Sequence, residues 1–177
     1  MFLEKLKFVK AFVFDVDGVL TDGTVLVTES GEQLRQFNIK DGYALQLAVK
    51  RGYPIAIISG GRSKGIKSRL LGLGIKNIFL GVEFKTQIFS DFLKDNSLSA
   101  DEVLYMGDDI PDVLPMKLSG LPVCPADAVN EVKEISVYIS GKDGGKGCVR
   151  DVIEKVLKIQ GQWNDEKPSA SDGSILA

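Results

Sequence analysis

Short apolar runs alternate with longer amphipathic segments along most of the chain. Six runs have the length and apolar content of buried strands: 11–14, 54–59, 77–80, 103–106, 121–124 and 137–139. Apolar residues recur at helical spacing between and after these runs, which predicts helices over 41–50, 64–71, 86–94, 128–135 and 148–159. Apolar strands that are separated by helices are typical of a parallel sheet covered on both faces. The pattern therefore predicts an α/β fold with a doubly wound parallel sheet.

One segment between the first strand and the first helix breaks this alternation. Residues 24–27 and 33–38 have extended character, and Ser30-Gly31 between them favours a turn. We therefore expect a β-hairpin over about 24–38 that projects from a single domain of residues 1–163. Residues 164–177 are polar and contain a proline, a glycine and three serines, a composition that predicts a flexible C-terminal tail.

The composition excludes several classes of function. The formal net charge is −2 and no basic cluster forms a nucleic-acid footprint, so we expect no nucleic-acid partner. No apolar run approaches the roughly 20 residues of a membrane span. The N-terminal residues also lack the apolar stretch of a signal peptide, which predicts a cytoplasmic protein with no membrane partner.

The types of residue available limit the chemistry further. The chain contains no histidine, which excludes Ser-His-Asp and Cys-His nucleophilic sites and His-ligated zinc. Neither Cys124 nor Cys148 is followed by arginine six residues later, so a Cys-x5-Arg phosphatase site is also excluded. Any metal or acid–base chemistry must rest on carboxylates, lysine and hydroxyls. Such oxygen ligands favour a hard cation such as Mg²⁺.

Polar residues follow four of the predicted strands, at the edge of a parallel sheet where sites form. In chain order they are Asp15-x-Asp17-Gly18-x-x-Thr21, Ser59-Gly60-Gly61, Lys85, and Asp108-Asp109 with Asp112. Each group alone has an ordinary explanation as a cap, a turn or an exposed charge. Together they describe one site, because clustered carboxylates require a cation, and a phosphoryl group requires nearby donors and positive charge. A carboxylate can also attack phosphorus and divide a hydrolysis into two easier steps.

This order of motifs resembles the haloacid dehalogenase superfamily of phosphatases over about residues 8–160. The resemblance implies that Asp15 is the nucleophile and Asp17 the general acid/base, and that Ser59 and Lys85 bind the phosphoryl group. It implies a Mg²⁺ site formed by Asp15, the backbone carbonyl of Asp17, and Asp108. Its further implications are that Asp109 and Asp112 orient the metal shell, and that the substrate contacts Gly18, Thr21, Gly60, Gly61 and Arg62.

The spacing of the motifs leaves no room for a cap domain, so the site stays open unless another subunit covers it. A homo-oligomer is therefore expected. Capless members with a projecting hairpin include the 3-deoxy-D-manno-octulosonate 8-phosphate phosphatases of lipopolysaccharide biosynthesis, and the resemblance to them extends to residues 14–21, 38–42 and 144–147. It implies a phosphorylated sugar acid as substrate and a homotetramer.

Two alternatives stay open at this point. A sister group acts on nine-carbon sugar acid phosphates and typically carries glutamate then lysine where this chain has Gly61 and Arg62. That difference favours the eight-carbon substrate, with Arg62 pairing with its carboxylate, although the octulosonate enzymes often have arginine one position earlier. The second alternative is a non-catalytic phospho-receiver module. Receivers place paired acids at the first strand and the acceptor aspartate later, which is the reverse of the order here.

Overall fold

The computed structural model describes residues 2–163 and places a parallel sheet at the centre. The strands in chain order are β1 (Ala11–Phe14), β2 (Leu26–Val27), β3 (Gln33–Leu34), β4 (Ile55–Ser59), β5 (Asn77–Leu80), β6 (Val103–Met106), β7 (Leu121–Cys124) and β8 (Tyr138–Ile139). Six of them form one sheet in the order β5-β4-β1-β6-β7-β8, and every pair is parallel. This architecture confirms the predicted α/β fold.

Helices cover both faces of this sheet. They are α1 (Phe2–Lys5), α2 (Ile39–Lys50), α3 (Lys64–Gly72), α4 (Lys85–Asp95), α5 (Val113–Leu118), α6 (Asn130–Ile135) and α7 (Cys148–Ile159). Short helical turns occur at Leu6–Phe8, Val16–Leu20, Ala100–Glu102 and Ile110–Asp112. No helix within residues 2–163 has both the length and the hydropathy needed to cross a membrane.

The core lies in two layers because successive residues of a strand point to opposite faces of the sheet. Phe12 and Phe14 of β1 pack with the apolar faces of α2, α3 and α7 on one side. Ala11 and Val13 pack with the apolar faces of α4, α5 and α6 on the other. Every residue of β1, β4, β6 and β7 is buried, which is why these strands appear in the sequence as unbroken apolar runs.

The predicted hairpin is present as β2 and β3, which pair antiparallel over two residues each. It joins the turn after β1 to α2, and within residues 2–163 no further domain covers the sheet. Its four strand residues are all exposed, including Leu26 at 67% and Val27 at 63%. The hairpin therefore has few contacts of its own to hold it in place.

Candidate active site

The carboxyl ends of β1, β4 and β6 meet around an open cavity of 390 Å³. The strand order changes direction here, since β4 and β5 lie on one side of β1 and the later strands lie on the other. Ligands of such sheets bind at this switch point. Most residues predicted from the sequence line the cavity: Asp15, Asp17, Ser59, Gly60, Gly61, Lys85, Asp108, Asp109 and Asp112.

Four of these residues form the acidic floor, which we define as Asp15, Lys85, Asp108 and Asp112. Lys85 Nζ lies 3.1 Å from Asp15 Oδ1 and 2.8 Å from Asp112 Oδ1. Asp112 also accepts hydrogen bonds from the Tyr105 hydroxyl at 3.2 Å and the Asp108 amide at 3.3 Å. The side chains of Lys85 and Asp112 are 5% and 1% exposed, so the structure holds them rigidly.

Burial and mutual repulsion shift the ionisation of the acidic floor. The pKa of Asp15 is raised to about 7, by burial first and then by the charge of Asp112, against the opposing effect of Lys85. The pKa of Asp108 is raised to about 8, by burial first and then by repulsion from Asp15 and Asp112. For Lys85, burial lowers the pKa, but the neighbouring carboxylates outweigh it and the net shift is upward. A bound cation would offset the repulsion between these carboxylates and favour their charged forms.

The acidic floor fits a divalent cation. Carboxylate oxygens of Asp15, Asp108 and Asp112 lie within 4.8 Å of one another. Asp108 Oδ1 is buried with no hydrogen-bond partner among residues 2–163, and Asp15 Oδ1 has only the Lys85 ion pair. Because Asp112 is already occupied by three donors, Asp15 and Asp108 are the carboxylates left to bind a metal. Oxygen donors of this kind are those that Mg²⁺ prefers.

Close packing of loops holds Asp108 against the turn that follows β1. A Cβ at Gly18 would lie 2.0 Å from Asp108 Oδ2, and Gly18 has φ +91, so only glycine is accommodated there. Gly144 packs from the far end of the chain, where a Cβ would lie 1.9 Å from the Gly18 carbonyl oxygen. The Gly145 amide donates to the Val19 carbonyl at 2.9 Å. The loop before α7 thus supports the turn Val16–Leu20, which we call the catalytic turn.

Thr21, which was predicted to contact substrate, lies beneath this turn and is fully buried. Its hydroxyl accepts from the amides of Gly18 and Gly23, each at 3.3 Å, and donates to the Val16 carbonyl. The structure therefore places Thr21 where it shapes the turn, outside the cavity lining.

The Asp17 side chain is held by Arg35, a residue that the sequence analysis did not single out. Arg35 Nε donates to Asp17 Oδ1 at 2.6 Å, and Nη2 donates to Oδ2 at 3.2 Å. Arg35 follows β3 on the hairpin, and its side chain is 7% exposed. The Asp17 carboxylate therefore faces the hairpin and is not part of the acidic floor. A sequence signal existed, because Arg35 is the one basic residue within 24–38.

The loop after β4 supplies donors to the opposite wall. Ser59 is buried at the strand end, and its hydroxyl accepts from the Gly61 amide at 3.2 Å. Arg62 is exposed and does not line the cavity. Its side chain lies over Gly81, where a Cβ would be 2.5 Å from Arg62 Nε. Arg62 therefore lies outside the cavity lining, and its contact with the substrate stays a prediction.

Comparison with known proteins identifies the family, although no protein-family model matches the sequence. The 3-deoxy-D-manno-octulosonate 8-phosphate phosphatase KdsC of Escherichia coli K12 is 34% identical over 165 residues, covering 93% of this chain and 88% of that protein. Its Haemophilus influenzae counterpart is 33% identical over 159 residues, covering 90% and 88%. The Moraxella catarrhalis phosphatase, crystallised with magnesium ion, phosphate ion and a KDO molecule, has 32% identity and a TM-score of 0.88, covering 92% and 93%. The chain therefore belongs to the 3-deoxy-D-manno-octulosonate 8-phosphate phosphatase family of the haloacid dehalogenase superfamily.

Proposed function

We propose that this protein is a Mg²⁺-dependent phosphatase that hydrolyses 3-deoxy-D-manno-octulosonate 8-phosphate to 3-deoxy-D-manno-octulosonate and inorganic phosphate, in lipopolysaccharide biosynthesis. The observation that carries the proposal is the acidic floor. There Asp15 faces an open cavity beside Lys85, and Asp15 and Asp108 together offer carboxylates suited to Mg²⁺. A relative that covers 92% of the chain was crystallised with magnesium, phosphate and KDO, which supports both the cofactor and the substrate.

In the first half of the reaction, Asp15 attacks the phosphorus atom and the bond to the sugar oxygen breaks. Asp17, two residues further on at the cavity wall, gives its proton to the leaving sugar oxygen. Lys85 and Ser59 hold the phosphoryl oxygens, aided by the Gly60 amide. The products of this half-reaction are the free sugar acid and a phosphoryl group bonded to Asp15.

In the second half, the Asp17 carboxylate takes a proton from water, and the water oxygen bonds to phosphorus. The bond to Asp15 breaks, and inorganic phosphate leaves. Asp15, Asp108 and the Asp17 backbone carbonyl would hold Mg²⁺, which would neutralise charge on the phosphoryl oxygens when bound. Asp112 orients Lys85 and the Asp108 backbone, and Asp109 lies at the outer rim of the cavity. Gly18 leaves the space that Asp108 needs.

The direct experiment is a comparison of kcat/KM across eight-carbon and nine-carbon sugar acid phosphates with Mg²⁺ present. We expect the eight-carbon 8-phosphate to have the highest value. Preference for a nine-carbon 9-phosphate would change the substrate but keep the chemistry, whereas absence of phosphate release from every ester would contradict the enzymatic function.

We also infer a homo-oligomer, for which the resemblance to the octulosonate phosphatases implies four subunits. The support is the exposed apolar surface of the hairpin, with Leu26 and Val27 uncovered, together with the open cavity beside it. Isolated two-stranded hairpins are marginally stable in water, so packing between subunits would stabilise this one. The predicted flexible tail lies outside the described residues, and the single domain over 1–163 and the cytoplasmic location stay predictions.

A further inference from the structure

We propose that Arg35 is the residue that recognises the carboxylate of the sugar acid, and so sets the specificity of the site. The inference rests on the proposed function and names the side chain that distinguishes a sugar acid phosphate from other phosphate esters. It assigns to the hairpin a direct part in substrate recognition, in addition to any part in assembly.

The first support is the position of Arg35 between two cavities. Its guanidinium contacts Asp17 on the wall of the active-site cavity, and a Cβ at Gly61 would lie 3.6 Å from Arg35 Nη2. Arg35 also lines a second cavity of 500 Å³ on the hairpin, together with Thr24, Leu26, Leu34 and Gln36. A substrate whose phosphate sits at the acidic floor and whose sugar extends toward the hairpin must pass this guanidinium.

The second support is the set of donors that Arg35 has left. Arginine has five N–H groups, and the contacts to Asp17 and to the Gln33 carbonyl use Nε and one hydrogen on each terminal nitrogen. Within residues 2–163, the structure gives the remaining N–H of Nη1 and of Nη2 no partner. These two N–H groups are donors that a second carboxylate could accept from, since one guanidinium can bind more than one acceptor. Arg35 can therefore hold Asp17 and the substrate together.

The third support is that two other cations near the site, Arg62 and Lys85, are not placed to bind this carboxylate. Arg62 lies over Gly81 and lines neither of these two cavities. Lys85 is the cation nearest the phosphoryl position, but its ammonium is engaged by Asp15 and Asp112. Among the residues that line the active-site and hairpin cavities, Arg35 is thus the cation that is placed to meet a carboxylate distant from the phosphate.

The test separates recognition of the carboxylate from positioning of Asp17. The Mg²⁺-loaded wild type, Arg35→Ala and Arg35→Lys are assayed with 3-deoxy-D-manno-octulosonate 8-phosphate and with a hexose 6-phosphate, which has no carboxylate. Both esters have a sugar alcohol as leaving group, so loss of Asp17 positioning lowers kcat/KM for both alike. We expect Arg35→Ala to lower the ratio of the two kcat/KM values by about 10-fold to about 150-fold, as for a charged hydrogen-bonded pair.

Arg35→Lys keeps the charge but not the paired donors, so we expect a ratio between those of the wild type and Arg35→Ala. Arg62→Ala serves as the competing variant and should change the ratio less than Arg35→Ala. Calorimetric binding of free 3-deoxy-D-manno-octulosonate should weaken in Arg35→Ala while binding of inorganic phosphate is kept. An unchanged ratio in folded Arg35→Ala, or a larger loss in Arg62→Ala, would overturn the assignment. Wild-type protein that releases phosphate from the hexose ester but not from the sugar acid ester would overturn the proposed function and this inference together.

Discussion

The acidic floor and the hairpin lie side by side at one edge of the sheet, yet they are built in opposite ways. Lys85 and Asp112 are almost fully buried and joined at 2.8 Å, on elements that the whole core holds in place. The hairpin has two residues in each strand, and its apolar side chains face outward. Asp15, which attacks phosphorus, is therefore held in place by the core. Arg35, which is proposed to recognise the sugar acid, instead lies on a short and exposed hairpin.

This difference predicts that changes in the two regions affect turnover of different substrates. Changes in the acidic floor should lower turnover of every phosphate ester alike, because all of them share the phosphoryl group. Changes in the hairpin should lower turnover of the sugar acid phosphate more than turnover of p-nitrophenyl phosphate.

Replacement of the nucleophile is expected to have the largest effect. Asp15→Asn should lower kcat/KM by at least about 10⁴-fold for both substrates, because an amide cannot form the phospho-aspartate. The fold should survive, since the amide is close in shape and the change removes a buried charge. Steady-state kinetics and circular dichroism measure the two effects. Substantial turnover by Asp15→Asn, or phosphate trapped on another residue, would contradict the role of Asp15.

Removal of metal should have the next largest effect. Excess chelator should reduce turnover of both substrates to background, and Mg²⁺ should restore it. Ca²⁺ should inhibit because it is larger and binds more ligands than the acidic floor and the catalytic turn offer. Full activity in excess chelator would show that the carboxylates do not form a metal site.

The same carboxylates predict how stability depends on pH when no metal is bound. The folded pKa of Asp15 is about 7 and that of Asp108 about 8, above the value of 3.8 for an unperturbed aspartate. The folded state therefore binds these protons more tightly than the unfolded state, and the stabilisation is lost as pH rises through the folded pKa values. We expect the Tm in chelator to fall between about pH 5 and about pH 8, and Mg²⁺ to raise the Tm more at the higher pH. Asp108→Asn should flatten both trends, and a Tm that rises over this interval would contradict the ionisation described here.

A change on the hairpin should have a smaller and more selective effect. Leu26→Asp places a charge on a residue that is 67% exposed in one subunit, so folding of the subunit should not change. If hairpins pack between subunits, the buried charge should shift the protein toward monomers. Sedimentation velocity should show this shift, with a greater loss of sugar acid phosphate turnover than of p-nitrophenyl phosphate turnover. Glu32→Asp, on the same hairpin, is the control, and an unchanged oligomer in Leu26→Asp would separate the hairpin from assembly.

The smallest effect is expected where the loop before α7 packs on the catalytic turn, at Gly144 and Gly18. Gly144→Ala forces a methyl group against the Gly18 carbonyl, so we expect a loss of about 1–3 kcal/mol of unfolding free energy and a partial loss of turnover on both substrates. Gly141→Ala is a matched control, because a Cβ there would meet nothing within 4 Å. Urea denaturation and kinetics measure the two effects. Equal stability of the two variants would show that the loop can move without disturbing the catalytic turn.

The sheet was predictable because its strands are buried on both faces. Their bounds agree with the predicted runs to within one residue, from β1 at Ala11–Phe14 to β8 at Tyr138–Ile139. The helix predicted from residue 64 also begins there, and Ser63 caps it, since its hydroxyl accepts from the Ile66 amide. In such regions local sequence and burial point to the same structure.

Prediction failed where a polar side chain had more than one possible partner. The helix predicted from residue 128 begins only at Asn130, and Asp127 before it accepts from the Gly144 amide at 2.9 Å. Helix α5 was missed because it is only six residues long and contains Pro115. The Asp17–Arg35 pair joins residues 18 positions apart across a hairpin, and no short motif records such a contact.

The support that Gly144 and Gly145 give the catalytic turn also bears on the synthesis of the protein. Cys148 Sγ lies 3.3 Å from the Val19 carbonyl oxygen, a contact between residues 129 positions apart. At roughly 5–20 residues per second, a ribosome needs on the order of 6 to 26 s to make the intervening chain. The nucleophile is therefore made before this support, and the turn that follows Asp15 lacks it until α7 is emerging. A nascent chain that is released before this loop would carry all five aspartates that line the cavity and lack the packing that shapes the catalytic turn.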